Sequence, residues 1–515
     1  MTRRAKDHSF VAALTLLAAG VVFATRWPLR SHALFSWDSA NFALATARVD
    51  IAAHRPHPPG YLGYVAAGRM INGIVHDPNT SLVIWNLIVT AIASVVVVRW
   101  AWEAADDDSA RVRFAAAAGA IFITSPLLWF YGEVAEIYPS ELLVALLVAF
   151  AAWRTIGGQR AGAVWVAALI ALAAVFKLTA AVLIAPLAVY AWTRAPARDR
   201  SRSALLLALL LGVTGAIFLT LQPDLAVIIW RQFAVATSGS RVIGGDAGFL
   251  RALNINARDT FTAGLSALGL VNLIALIVWI AVDRRLPGGL GRRVAGLWLL
   301  PWVLLVLFVH IGRRGYILPL LPLATLVVAG FYARQQKGVT IALVALQAAV
   351  NVLQFVWLAP PPRSAIGGSA AYRDKTTVER LLSDLDAVTF PTAWTIAASD
   401  DRAAALTALV RRTCPSADPI IVAEGDWRRV LWYFPAATAI DTSGHDVLFT
   451  GIHTDATPIP ADGVTLTTLC PVIWLNGDTG GPTPLTPRGG VAAAGVGAMT
   501  GPGTLLVTRT AIERR

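Results

Sequence analysis

Charge is scarce in this sequence. Asp, Glu, Lys and Arg make up 14% of its 515 residues and hydrophobic residues 56%, a balance that excludes an ordinary soluble domain and points to a chain solvated by a bilayer. Cysteine is nearly missing. Cys414 and Cys470 are the only two, which leaves room for one disulfide or for two buried thiols, and both readings stay open. No internal repeat and no long low-complexity tract is evident, and a Gly-rich run from Gly477 reads as a loop. The first apolar segment follows "MTRRAK" but is not followed by a clean small-residue cleavage site, so it reads as an uncleaved span rather than a removed leader.

What is abundant is apolar sequence in segments of membrane-crossing length. About eleven such segments are expected, each of roughly 20 residues for a hydrocarbon layer of about 30 Å. They fall near 9–26, 82–99, 114–131, 140–153, 162–176, 178–193, 203–221, 261–282, 294–311, 315–333 and 339–358. The formal charge of +12 does not indicate nucleic acid, because the arginines gather in short links between apolar segments. With the N-terminus cytoplasmic, the links 194–202, 283–293 and 333–338 all face the cytoplasm, and all are rich in Arg or Lys. The same alternation puts 27–81, the turn "YGEVAEIYP", 222–260 and everything from Pro360 outside. The expected organisation is therefore mainly α: a polytopic membrane domain over 1–359 and an extracytoplasmic α/β domain over 360–515, where β-rich "DPIIVAEGDW" alternates with helical "RAAALTALVRR".

The first outer loop carries the least typical composition. "HRPHPPGYLGY", beginning at His54, concentrates prolines, histidines and tyrosines between two helical pieces, "SANFALATARVDIAA" and "YLGYVAAGRMINGIV", which suit helices lying on a membrane surface. Its Pro-Pro-Gly step is stiff and then permissive. Asp38, in "FSWDSANF", has two readings: a helix N-cap, shared with Ser39, or a general base in a partly desolvated site.

A second acidic group lies in "WFYGEVAEIYPSELL". Glu133 and Glu136 are spaced to share a helix face, and Pro139 is expected to start the next span with Glu141 as a favourable charge in its first turn. Acids beside apolar spans are costly and tend to be paired or functional. Cations on the outer side run against the usual charge bias. Arg313 and Arg314 in "HIGRRGYILPLLP" are suited to a phosphate, and Lys177 in "AVFKLTAAV" to a phosphate or to snorkelling among headgroups.

With Asp38, "HPPGY" over 57–61, "EVAEIY" over 133–138 and "GRRGYILPLLP" in view, the chain resembles the GT-C superfamily of membrane glycosyltransferases, in its protein O-mannosyltransferase-like branch. The resemblance covers roughly the first 330 residues. It implies inverting transfer of a sugar from a polyprenyl-phosphate carrier to a glycan, lipid or protein acceptor outside the cell membrane. Asp38 would be the general base, with Glu133 or Glu136 as a second acid. Arg313, Arg314 and Lys177 would hold the departing phosphate, and His57, Tyr61, Tyr138 and Tyr316 would support the site. The branch's usual Asp-Glu pair is not present, since Asp38 is followed by Ser39. No cofactor is expected: a divalent metal has no support, since the acids are few and show no clustered oxygen ligands of the kind a dedicated divalent site takes. The competing readings are a transporter or flippase of a lipid-linked saccharide, which would show two related halves, and a non-catalytic relative that binds lipid-linked sugar.

Overall fold

The computed structural model describes residues 3–51, 55–105, 107–159, 161–224, 226–227, 230, 248–309, 314–357, 391–415, 419–423 and 427–441, and beyond these 448–450, 457–458, 464–470, 473–475, 497–498, 503–507 and 512–514. Arg313, His54 and the run from Gly477 lie outside the described residues. The chain divides into two compact units. The first comprises Met1–Arg30, Pro58–Ala359 and Val388–Thr395, and the second comprises Ser31–His57 together with Ile396–Arg515.

Helices dominate. In chain order they are α1 (Arg3–Arg26), α2 (Trp37–Ala47), α3 (Leu62–Val75), α4 (Pro78–Glu103), α5 (Asp108–Ile123), α6 (Pro126–Glu133), α7 (Tyr138–Ile156), α8 (Gly162–Phe176), α9 (Leu178–Arg194), α10 (Ala197–Leu221), α11 (Phe249–Leu268), α12 (Leu270–Val282), α13 (Arg292–Leu304), α14 (Leu321–Ala333) and α15 (Lys337–Val356). Among the described residues seven helical segments are long and apolar enough to cross a bilayer, or up to nine if each bent pair counts as one span. The bent pairs are α5 with α6, at 55°, and α11 with α12, at 110°. Each of the expected apolar segments corresponds to one of these spans, to a bent pair, or to the shorter apolar helices α8 and α9. The segment expected at 261–282 is not one straight span: it breaks at Gly269, whose φ is +75°.

Caps and prolines set the ends. Asp77 accepts from the Thr80 N–H and Pro78 follows it, starting α4. Pro139 sits in the first turn of α7 with Glu141, as the sequence indicates. The acidic turn differs from expectation. Glu133 ends α6, Val134 is extended, and Glu136 lies outside any helix, so the two acids share no helical face. The reason is Asn86 of α4: its side-chain N–H donates to the carbonyls of Val134 (2.7 Å), Glu136 (2.8 Å) and Tyr131 (3.4 Å), capturing acceptors that a continuing helix would use.

Among the described residues the second unit holds most of α16 (Ala393–Thr413), α17 (Trp427–Tyr433) and nine strands. Ile420–Ala423 (β1) lies parallel to Thr438–Asp441 (β2) and to Ile473–Leu475 (β6). Antiparallel Leu448–Thr450 (β3), Thr457–Pro458 (β4) and Gly497–Ala498 (β7) complete a six-stranded sheet in the order β4-β3-β2-β1-β6-β7. Val464–Thr468 (β5), Gly503–Val507 (β8) and Ile512–Arg514 (β9) form a separate three-stranded antiparallel sheet. Leu406, Val410, Ile421, Val430, Leu431 and Ala439 make the core between helices and sheet. Cys414 and Cys470 are joined as a disulfide, settling the two open readings in favour of the bridge.

Ser31–His57, which the sequence groups with the membrane domain, belongs to this second unit. Leu34, Ala40 and Ala43 pack with Trp432 and Tyr433 of α17. The surface-helix expectation consequently fails for α2, which is buried from Asp38 to Thr46. The helix α3 does keep Met70 and Ile74 exposed.

Candidate active site

Asp38 does not cap α2. Ser36 does, in a reciprocal box with Ser39: the Ser36 Oγ accepts from the Ser39 N–H and the Ser39 Oγ from the Ser36 N–H. Asp38 is thereby left in the first turn with its carboxylate available, and it is 8% exposed. Its Oδ1 lies 3.3 Å from the Nδ1 of His57, an ion pair whenever that imidazole is protonated. The imidazole is flanked by Trp37 and Phe42, with ring centroids 6.0 and 5.5 Å away. The guanidinium of Arg428 lies 4.8 Å over the Trp37 ring. One helical turn along from Asp38, Asn41 is buried, and among the described residues neither of its side-chain polar atoms has a hydrogen-bond partner. The Pro-rich stretch thus delivers its histidine to the carboxylate. After His57 the chain turns through Gly60 at φ +111°, a backbone that glycine adopts freely, and Tyr61 at φ +42° precedes α3.

Within the first unit a second constellation gathers. Lys177, at the break between α8 and α9, places its Nζ 2.5 Å from the Glu141 Oε2, and both side chains are buried. The same ammonium lies 4.8 Å from the Tyr138 ring and 4.4 Å from the Tyr316 ring, an aromatic enclosure that favours a cation. Glu141 is therefore more than a favourable helix-terminal charge: it is the ion-pair partner of Lys177. Neither this buried pair nor its enclosure corresponds to a lysine snorkelling among headgroups. Tyr316 is held by the 3-10 turn Arg314–Leu320, where the Gly315 N–H donates to the Tyr131 hydroxyl at 3.1 Å. A Cβ on Gly315 would fall 2.2 Å from the Tyr138 ring, so only glycine permits this approach. Arg314, half-buried, lies within electrostatic reach of Asp259 and Tyr131.

The two acids of the turn have separate surroundings. Glu133 accepts a 2.7 Å hydrogen bond from the Trp129 indole and interacts with the guanidinium of Arg26, which lies 5.1 Å from the Trp129 ring and donates to the Ile123 carbonyl at 2.6 Å. Glu136 faces Tyr64 of α3, and burial together with that carboxylate pushes the Tyr64 phenol well above its usual range. Arg26, Asn86 and the role of Glu141 escape the reading of the sequence. Two of them carry a signal: Arg26 is a cation at the end of an apolar span, and Asn86 is an amide inside an apolar run.

An apolar cavity of about 280 Å³ is lined by Pro59, Tyr61, Leu178, Leu211 and Phe218 among others. Among the described residues no three His, Cys, Asp or Glu side chains gather as a ligand set for a metal ion. In chemical terms, the second unit offers a buried carboxylate with an imidazole beside it. The first offers cations, tyrosines and an apolar cavity.

No family model and no curated protein matches the chain. Among solved structures it is similar to ArnT from Cupriavidus metallidurans bound to undecaprenyl phosphate, with a TM-score of 0.50 and 14% identity over 84% of this chain and 86% of that one. The same protein in its apo state gives a TM-score of 0.48 at 15% identity, covering 85% and 86%. The Archaeoglobus fulgidus oligosaccharyltransferase in complex with Zn and sulfate gives 0.43 at 12%, covering 83% and 62%. The first of these likenesses shows the fold alone: this is a multi-pass membrane protein with an ArnT-like architecture.

Proposed function

We propose that this chain is a membrane glycosyltransferase that moves a sugar from a polyprenyl-phosphate donor to an acceptor hydroxyl outside the cell membrane, with inversion. The observation that carries the reading is Asp38, a buried carboxylate beside His57 on the segment after α1, in a chain whose fold is similar to that of ArnT bound to undecaprenyl phosphate. In this reading the N-terminus is cytoplasmic and the tail extracytoplasmic.

Asp38 accepts the proton of the acceptor hydroxyl as its oxygen bonds to the anomeric carbon. The bond from that carbon to the phosphate oxygen breaks, and the polyprenyl phosphate departs with the electron pair. Arg313, Arg314 and Lys177 offset its charge, an electrostatic role of the oxyanion-hole kind. His57 holds the Asp38 carboxylate in place. Tyr138 and Tyr316 confine Lys177, and the apolar cavity lined by Leu178, Leu211 and Phe218 suits an isoprenoid chain. Glu133 or Glu136, in the turn that precedes α7, serves as the second acid. A mannose-type sugar is the first donor to try.

The test uses the full chain in liposomes with a radiolabelled polyprenyl-phosphate sugar. Asp38→Asn is expected to cut transfer by about 10²–10⁴-fold while donor binding stays within twofold. Retained transfer in that variant overturns the role of Asp38. Solute flux by the wild-type vesicles without any transfer overturns the enzyme.

A further inference from the structure

The segment just before α2 has no secondary structure of its own, yet four successive residues have their backbone bonded by side chains from the far end of the chain. The Asp400 carboxylate accepts from the His32 N–H at 2.8 Å and from the Ala33 N–H at 2.9 Å, one oxygen to each. The Leu34 N–H donates to the Tyr433 hydroxyl at 2.8 Å. The Phe35 carbonyl accepts from Arg429 at 3.1 Å and from the Ser399 hydroxyl at 3.3 Å. Beneath this row Leu34 is fully buried against Trp432 and Tyr433. The next residue, Ser36, is the cap of α2, and Asp38 follows in its first turn.

Apolar packing alone would hold α2 to α17 but would leave it free to slide or rotate. Directional bonds to four consecutive backbone groups remove that freedom, and those to the carboxylate and guanidinium are charge-assisted. Asp400 is itself immobilised, since it lies on α16, whose C-terminal end runs into the disulfide at Cys414.

We propose that the tail domain aims the base: Asp400, with Tyr433, Ser399 and Arg429, grips the backbone of residues 32–35 and so fixes the direction of the Asp38 carboxylate, Asp400 being its positioning residue. This rests on the reading of Asp38 as general base. It gives the tail a part in the chemical step.

The experiment compares wild type, Asp400→Asn, Asp400→Glu and Tyr433→Phe as full chains in liposomes. Two readouts are taken: transfer kinetics with donor affinity, and hydrogen exchange at the amides of residues 32–34. Asp400→Asn turns one acceptor into a donor facing an N–H. It is expected to speed exchange at His32 or Ala33 at least tenfold and to lower kcat at least tenfold, with donor affinity and KM within twofold. Asp400→Glu should restore part of both, and Tyr433→Phe, which disturbs packing least, should speed exchange at Leu34 and lower kcat severalfold. Unchanged exchange, or faster exchange with unchanged kcat, overturns the proposal. A fall in donor affinity equal to the fall in kcat/KM also overturns it. If Asp38→Asn retains transfer, the base assignment fails instead, and the exchange measurement still reports on the grip.

Discussion

At the level of single residues the ion pair between Lys177 and Glu141 is the most consequential contact in the first unit. Both groups are withdrawn from water, and removing one member of such a pair costs about 3–5 kcal/mol because the other charge is left uncompensated. Lys177→Met should accordingly lower the thermal midpoint in detergent sharply, and Lys177→Met combined with Glu141→Leu should recover most of it. Donor affinity is expected to remain low in the double variant, which separates folding from phosphate binding. Tyr64 gives a titration test. Its proton is retained in the folded chain at a pH where the unfolded chain, with an ordinary phenol near 10, has released it. Folding stability therefore falls as pH rises past that value. Tyr64→Phe should flatten this alkaline decline, as followed by unfolding midpoints between neutral pH and the alkaline limit.

Among the elements, the turn after α6 and the turn after α13 depend on single small features. Asn86→Leu leaves the carbonyls of Val134 and Glu136 without their donor, at about 1–3 kcal/mol for each buried acceptor. The variant should unfold earlier on heating. Gly315→Ala must push the Tyr138 ring away from Lys177, an overpacking cost of about 1–3 kcal/mol, and donor affinity should drop with it. Gly212→Ala in α10, where an added Cβ meets nothing within 4 Å, should leave affinity unchanged. The apolar spans were legible because a run of Ala, Leu and Val declares itself locally. The turn at Glu133 and Glu136 was not, because spacing along the chain suggests a shared helix face while the deciding group, Asn86, sits on another helix. Lys177 and Glu141 were each visible as charges near span ends, but nothing in either neighbourhood says that they meet, 36 residues apart.

For the whole molecule, the same distinction applies to domains. Composition marks the change of character near Pro360, and the alternation of strand-like and helix-like pieces is borne out in β1 and α16. It does not reveal that Ser31–His57 joins that later part, since the bonds responsible come from Asp400, Arg429 and Tyr433. The Cys414–Cys470 bridge spans a separation of 56 residues, and closing a loop of that size contributes about 4 kcal/mol through restriction of the unfolded chain. Replacing both cysteines by serine should make the tail more readily cut by protease, as read by mass mapping of the fragments, and should lower its unfolding temperature.

The grip on residues 32–35 has a consequence in time as well as in space. His32 and Ala33 wait for a carboxylate made 368 and 367 positions later, which at ribosomal speeds of about 5–20 residues per second is a delay of roughly 20–75 s. Throughout that interval a nascent chain already threaded into the bilayer carries an unaimed aspartate, so the polypeptide arms itself only when its last portion has emerged and folded.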